Sequence, residues 1–153
     1  MLRISKLTDY GTVVLAHLAG AEVDLVSAAE LANQTGIAGP TVSKLLKSLT
    51  RSDIVESVRG ANGGYRLSRP ADAISAADVI DALEGPVSIT ECCSAHGHCD
   101  YESVCGVGDA WKRINVAIRK ALDDVSLADL SRANQRTPNL NFSGLPITVE
   151  QKD

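Results

Sequence analysis

The sequence predicts a mainly α-helical fold with one small β-hairpin. Three observations predict it. Apolar residues recur at three- and four-residue spacing in successive segments, as on one face of a helix. These segments are bounded by Ser, Gly and Pro, the residues that start and stop helices. Between residues 54 and 68 the helical period gives way to two short strand patterns around a glycine-rich turn.

The first helix is expected over residues 5–20, SKLTDYGTVVLAHLAG. Leu7, Val14, Leu15 and Leu18 sit at helical spacing, and Gly20 is its stop. Ser27, followed three residues later by Glu30, forms a capping box and opens a second helix that runs to about Thr35. Gly36 breaks it, GIAG makes a tight turn, and Pro40 suits the first turn of the next helix. This third helix, about residues 40–51, carries Val42, Leu45, Leu46 and Leu49 inward and leaves Ser43, Lys44, Lys47 and Ser48 on other faces. Helix, short glycine-containing turn and helix make a helix-turn-helix. Its second helix is the one that enters a DNA major groove.

The stretch DIVESVRGANGGYRLSRP then reads as a hairpin, with IVESV and YRLS as strands and GANGG as the turn. A hairpin directly after a reading helix is a wing. Arg59 and Asn62 at its tip can reach phosphate or the minor groove, and Gly60 permits close backbone approach.

After Pro70 a helix is expected at about residues 75–84, closed by Gly85, followed by a cysteine-bearing loop. Residues 108–125 form the last long helix, with Trp111, Ile114, Ile118, Leu122 and Val125 on one stripe. Such a stripe on a small domain buries itself against a second copy, and helix-turn-helix proteins pair so that two readers match two half-sites. Ser126 with Asp129 marks a short final helical turn. The rest, rich in Pro, Asn, Gly and Ser, reads as a flexible tail. The expected organisation is therefore a winged helix-turn-helix domain over residues 1–70, a loop and dimerisation helix over 71–130, and a tail over 131–153.

Charge supports this division. Residues 1–70 hold eight Lys/Arg against six Asp/Glu, whereas residues 71–153 hold seven against thirteen. Lys44, Lys47, Arg51, Arg59, Arg66 and Arg69 crowd the first part, as a DNA-contacting half requires. No apolar run approaches the ~20 residues that cross a bilayer, and the N-terminus lacks the apolar stretch of a secretory signal. A cytoplasmic protein without membrane association is expected, and in that reducing compartment clustered cysteines more often bind metal or do redox chemistry than form structural disulfides. The chain shows no phosphate loop and no nucleophile-base motif, so no enzyme is expected.

ECCSAHGHCDYESVC, residues 91–105, contains all four cysteines and two of the three histidines. Cys93, Cys99 and Cys105 are evenly spaced, with five residues between each pair. Thiolates select zinc, copper(I) or iron–sulfur clusters. Zinc sites usually show CxxC knuckles, and none is present. A looser glycine-containing loop favours an iron–sulfur cluster. A metal-free thiol switch is the other chemistry such a loop supports.

Five stretches together resemble the IscR/NsrR family of winged-helix repressors: LRISKLTDYG, SAAELA, PTVSKLLKSLTRSDIVES, VRGANGGYRLSRP and the triad Cys93-x5-Cys99-x5-Cys105. The resemblance covers roughly residues 1–130 and is strongest to IscR-like regulators of the SUF iron–sulfur assembly operon. It implies a cytoplasmic homodimer that binds palindromic double-stranded promoter DNA and holds one iron–sulfur cluster per subunit. A [2Fe–2S] cluster is favoured slightly over [4Fe–4S], and cluster status is expected to alter DNA affinity. Cys93, Cys99 and Cys105 would be the thiolate ligands. Ser27, Thr41, Ser43, Lys44, Lys47, Arg51, Arg59, Gly60 and Asn62 would face DNA, with Tyr65 packed beneath the wing.

Two departures matter. IscR has a histidine ligand three residues after the third cysteine, where this chain has Gly108. NsrR-type members use an aspartate on the first helix, reaching across the dimer, and Asp9 occupies that position. Cys92, His96, His98 and Asp109 are the other candidates for the fourth ligand. IscR also carries an acidic residue at the position of Ser43, so a different preference among DNA sites is expected. The alternative function is a metal-free, thiol-redox or nitric-oxide-responsive DNA-binding regulator.

Overall fold

The computed structural model describes residues 3–94, 99–100 and 104–132. Helix α1 spans Lys6–Gly20 and is capped by Ser5, whose hydroxyl accepts the Thr8 N–H at 3.2 Å. The cap satisfies one of the N–H groups that a helix start leaves without a partner. Val14, Leu15 and Leu18 are buried, as their spacing predicts. Helix α2, Ala28–Thr35, opens on the expected capping box: the Ser27 hydroxyl accepts the Glu30 N–H at 3.2 Å, and the Glu30 carboxylate accepts the Ser27 N–H at 2.8 Å. Gly36 ends it at φ +70°, a left-handed conformation that glycine adopts without a Cβ penalty. Helix α3, Gly39–Arg51, has Pro40 in its first turn. Val42, Leu45, Leu46 and Leu49 are wholly buried. Each such side chain contributes roughly 2 kcal/mol before conformational entropy is subtracted.

Strand β1, Val55–Val58, pairs antiparallel with β2, Gly64–Leu67, in the register that sets Val55 opposite Leu67 and Val58 opposite Gly64. The hairpin also leans on the residue just before Ser27. Tyr65 donates its N–H to the Val26 carbonyl at 2.8 Å and accepts the Val26 N–H at 3.0 Å. Tyr65 is half-buried against the core.

Helix α4, Ala76–Leu83, starts with a second capping box, Ser75 with Asp78. Arg69 reinforces it, donating to the Asp78 carboxylate at 3.1 Å, to the Ala73 carbonyl at 3.0 Å and to the Asp53 carbonyl at 3.1 Å. Burial pushes the Asp78 carboxyl up, but hydrogen bonds from Ser75 and Arg69 outweigh it and hold the group below its ordinary value. Asp53 sits at φ +54°, and the Ser68 hydroxyl also donates to its carbonyl. Thus Arg69 fastens the exit of the wing to α4.

Helix α5 covers Gly108–Asp123 and helix α6 covers Leu127–Arg132. Ser126 and Asp129 form the cap expected of the last helix. Helix α6 turns back onto the first part of the chain: Leu127 donates its N–H to Ile74 at 2.7 Å, and Ala76 donates to Val125 at 2.8 Å. Leu127 is wholly buried in the same apolar cluster as Val14, Leu15, Leu45 and Val79. Residues 133–153, most of the expected tail, lie outside the described residues.

Helix α5 differs from the others. None of its residues is buried. Trp111 and Ile114 are 42% and 44% exposed, while Ile118, Leu122 and Val125 are half-buried. It packs on α4 through an ion pair, Arg119 to Asp81 at 2.6 Å. The expected stripe is present, and much of it faces outward.

Candidate nucleic-acid interface and cysteine site

The outer face of α3 carries Ser43, Lys44, Lys47 and Arg51, all exposed, with Thr41 half-buried. Lys44, Lys47 and Arg51 follow at three- and four-residue steps, so they share one face opposite the buried Val42, Leu45, Leu46 and Leu49. No side chain caps α3, whose cap residue is Ala38. Its N-terminus therefore presents the positive end of the helix dipole without a competing carboxylate.

Arg59, Gly60 and Asn62 are exposed at the tip of the hairpin. Gly60 has φ +126°, and Gly63 donates its N–H to the Gly60 carbonyl at 3.0 Å, closing the tip. Not all the predicted basic residues belong to this face. Arg66 pairs across the strands with Glu56 at 3.0 Å, and Arg69 is the clamp described above. The Ser27 hydroxyl is engaged in its capping box with Glu30. Lys44, Lys47, Arg51 and Arg59 are the exposed cations that remain of the basic group.

The cysteines lie between α4 and α5 in the chain. Residues expected to be plain loop form a short 3-10 turn at Glu91–Cys93. Cys92, Cys93 and Cys99 are half-buried, Cys105 is exposed, and all four are free thiols. The Thr90 hydroxyl donates to Cys93 Sγ at 3.1 Å and lies 3.1 Å from Cys92 Sγ. A Cβ added at Gly108 would lie 3.8 Å from Cys105 Sγ, so the glycine leaves the side of that sulfur open. Asp109 is exposed in the first turn of α5. His96 and His98 lie outside the described residues.

Asp9 lies in the first turn of α1. It is exposed and lines a groove of about 860 Å³ with Arg3, Thr12, Val79, Leu122 and Val125. Leu122 is at the C-terminal end of α5, whereas Cys105 precedes its N-terminal end. At 1.5 Å per residue the two ends are about 20 Å apart. Among the described residues, no three of His, Cys, Asp and Glu converge on a metal-sized site. The donor chemistry, three soft thiols outside any disulfide, suits an iron–sulfur cluster. Among the described residues, the three cysteines and Asp9 are not gathered into a ligand set within one chain.

Sequence reasoning missed Glu84. Its carboxylate accepts the Ser5 N–H at 2.9 Å and the Thr8 hydroxyl. These hydrogen bonds hold the Glu84 carboxyl below its ordinary value. The end of α4, where the cysteine loop departs, is thereby tied to the turn that precedes Asp9.

Residues 4–133 match the Rrf2 family, described as an iron-dependent transcriptional regulator. The chain belongs to the Rrf2 family. Rrf2 proteins are DNA-binding transcription regulators and not enzymes. The protein aau3 of Rhizobium meliloti (strain 1021) is 33% identical over 142 residues, 92% of this chain and 90% of that protein. CymR (YrzC), the global cysteine regulator of B. subtilis, is 32% identical with a TM-score of 0.66, covering 86% of this chain and 97% of that one. T. potens IscR is 27% identical with a TM-score of 0.65, covering 88% and 89%. These likenesses bear out the winged-helix architecture read from the sequence. Among the described residues of this Rrf2 regulator, no helix is long and apolar enough to cross a membrane.

Proposed function

We propose that this Rrf2 regulator is a homodimeric repressor of SUF-type iron–sulfur assembly genes whose DNA affinity follows the state of a cluster held by Cys93, Cys99 and Cys105. The observation that supports the reading is the triad of free thiols on a domain with an exposed basic reading helix. Soft thiolates hold iron, and the cluster supplies a group that forms, decays and reacts with oxidants. A [2Fe–2S] cluster remains slightly favoured.

Asp9 supplies the fourth ligand from the partner subunit. The exposed stripe of α5 is what a second copy would cover, which supports a ligand that reaches across a dimer. An oxygen donor on a soft centre makes that position labile. An intersubunit ligand also couples cluster binding to the spacing of the two reading heads, and such coupling is reciprocal. Asp9→Ala is expected to speed cluster loss to a chelator by about tenfold or more, in line with the loss of a charged partner. An unchanged spectrum and decay rate would remove Asp9 from the ligand set.

On the DNA side, Thr41 and Ser43 face base edges, Lys44, Lys47, Arg51 and Arg59 meet phosphates, and Ser27, Gly60 and Asn62 complete the contact. Lys47→Ala deletes one phosphate contact per subunit. The slope of log affinity against log salt should then flatten by about 1.8, at roughly 0.9 per contact. An unchanged slope would place Lys47 off the DNA.

A second reading is a metal-free, thiol-redox or nitric-oxide-responsive regulator. It is favoured by the adjacent Cys92 and Cys93, which share the Thr90 hydroxyl, and by the likeness to a cysteine regulator. Anaerobic purification separates the two readings. Bound iron and sulfide support the cluster, whereas a colourless protein whose DNA binding follows thiol oxidation supports the switch.

A further inference from the structure

We infer that Asn115 is a positioning residue for the cysteine loop, setting where Cys92 and Cys93 lie relative to α5. The inference deepens the proposed function and rests on its reading of Cys93 as one of the sensing groups.

Asn115 sits on α5 between Ile114 and Val116, although asparagine is a poor helix former because its amide competes for backbone partners. Here the amide reaches a distant segment. Its Oδ1 accepts the Ile89 N–H at 3.1 Å, and its Nδ2 donates to the Val87 carbonyl at 3.1 Å. One primary amide thus meets an N–H and a C=O two residues apart, as the peptide of a neighbouring strand does. The bonds span 26 and 28 residues of chain.

Beyond Ile89 the order continues to sulfur. The Ser88 hydroxyl donates to the Thr90 carbonyl at 2.9 Å, and the Cys93 N–H donates to that same carbonyl at 2.9 Å. The Thr90 hydroxyl donates to Cys93 Sγ at 3.1 Å. The other end of the loop needs no such device, because Cys105 runs directly into α5 at Gly108. Both ends of the cysteine loop are therefore referenced to one helix. Arg119, one turn past Asn115, ties that helix to Asp81 on α4. A shift of α5 relative to α4 would carry the arm bearing Cys92 and Cys93 with it.

The test uses the full-length, reduced, metal-free protein as wild type, Asn115→Ala and Asn115→Asp. Alkylation by iodoacetamide is followed at Cys93 and Cys105 by mass spectrometry, alongside thermal melting. Losing two neutral hydrogen bonds corresponds to about a tenfold gain in the opened arm. Asn115→Ala should raise the Cys93 rate by about that factor relative to Cys105. Asn115→Asp keeps an acceptor for Ile89 but sets an oxygen against the Val87 carbonyl, so it too should raise the ratio. An unchanged Cys93-to-Cys105 ratio in both variants would overturn the inference, and so would an equal rise at both cysteines with a lowered melting point, the mark of general loosening. Because no metal is present, the result stands apart from the cluster reading, which is tested separately by iron and sulfide uptake and by promoter binding of wild-type protein.

Discussion

Ile114→Glu is expected to leave the fold intact and abolish tight operator binding. The side chain is 44% exposed on a helix with no buried residue, so the carboxylate meets water in the isolated protomer. Across a dimer it would meet the partner's apolar stripe and lie buried without a counter-charge, at a cost of several kcal/mol. A palindromic operator bound by two linked readers gains roughly 10²–10⁴ in affinity over one reader. The variant should sediment as a monomer and lose about that factor in fluorescence anisotropy, with a melting transition close to that of dissociated wild type. A variant that stays dimeric would place the interface elsewhere.

Gly64→Val should disrupt the wing. A Cβ at position 64 would stand 2.9 Å from the Val26 carbonyl oxygen and 3.0 Å from its carbon. Both are backbone atoms fixed by the Val26–Tyr65 pair, so no rotamer relieves the contact. Overpacking of this kind costs about 3 kcal/mol, or roughly 10 °C in melting temperature for a chain of this size. If the hairpin detaches instead, the melting point falls less and the contribution of Arg59 to DNA binding disappears. A variant that melts and binds DNA like wild type would show that β2 does not rest against Val26 in solution.

The features legible in the sequence were local. Ser27 with Glu30, Gly36 and Pro40 each act within a few residues, and together they locate α2 and α3. The four apolar residues of α3 mark its inner face because helical spacing is itself a local property. The hairpin followed from its glycines and its two short strand patterns. What stayed hidden depends on residues far apart in the chain. Arg69 counted as one more cation until the fold brought it to Asp78 and the Asp53 carbonyl. Glu84 meets Ser5 across 79 residues, and Asn115 finds Val87 only once α5 is laid beside the cysteine loop. The single residue out of character in its surroundings, an asparagine inside the apolar stretch of α5, was the available signal for that last contact. Asp9 was reached through family resemblance alone, because an aspartate near a helix start ordinarily reads as a surface charge or dipole partner.

The most direct test of the central claim is anaerobic purification with iron and sulfide analysis, followed by titration of a SUF-type promoter fragment with holo and cluster-free protein. The account predicts a sulfide-containing chromophore that is lost in the Cys93→Ser, Cys99→Ser and Cys105→Ser variants, and a promoter affinity that changes when the cluster is removed. Protein that takes up no iron and sulfide after reconstitution, or that binds the promoter equally well with and without its cluster, would contradict it.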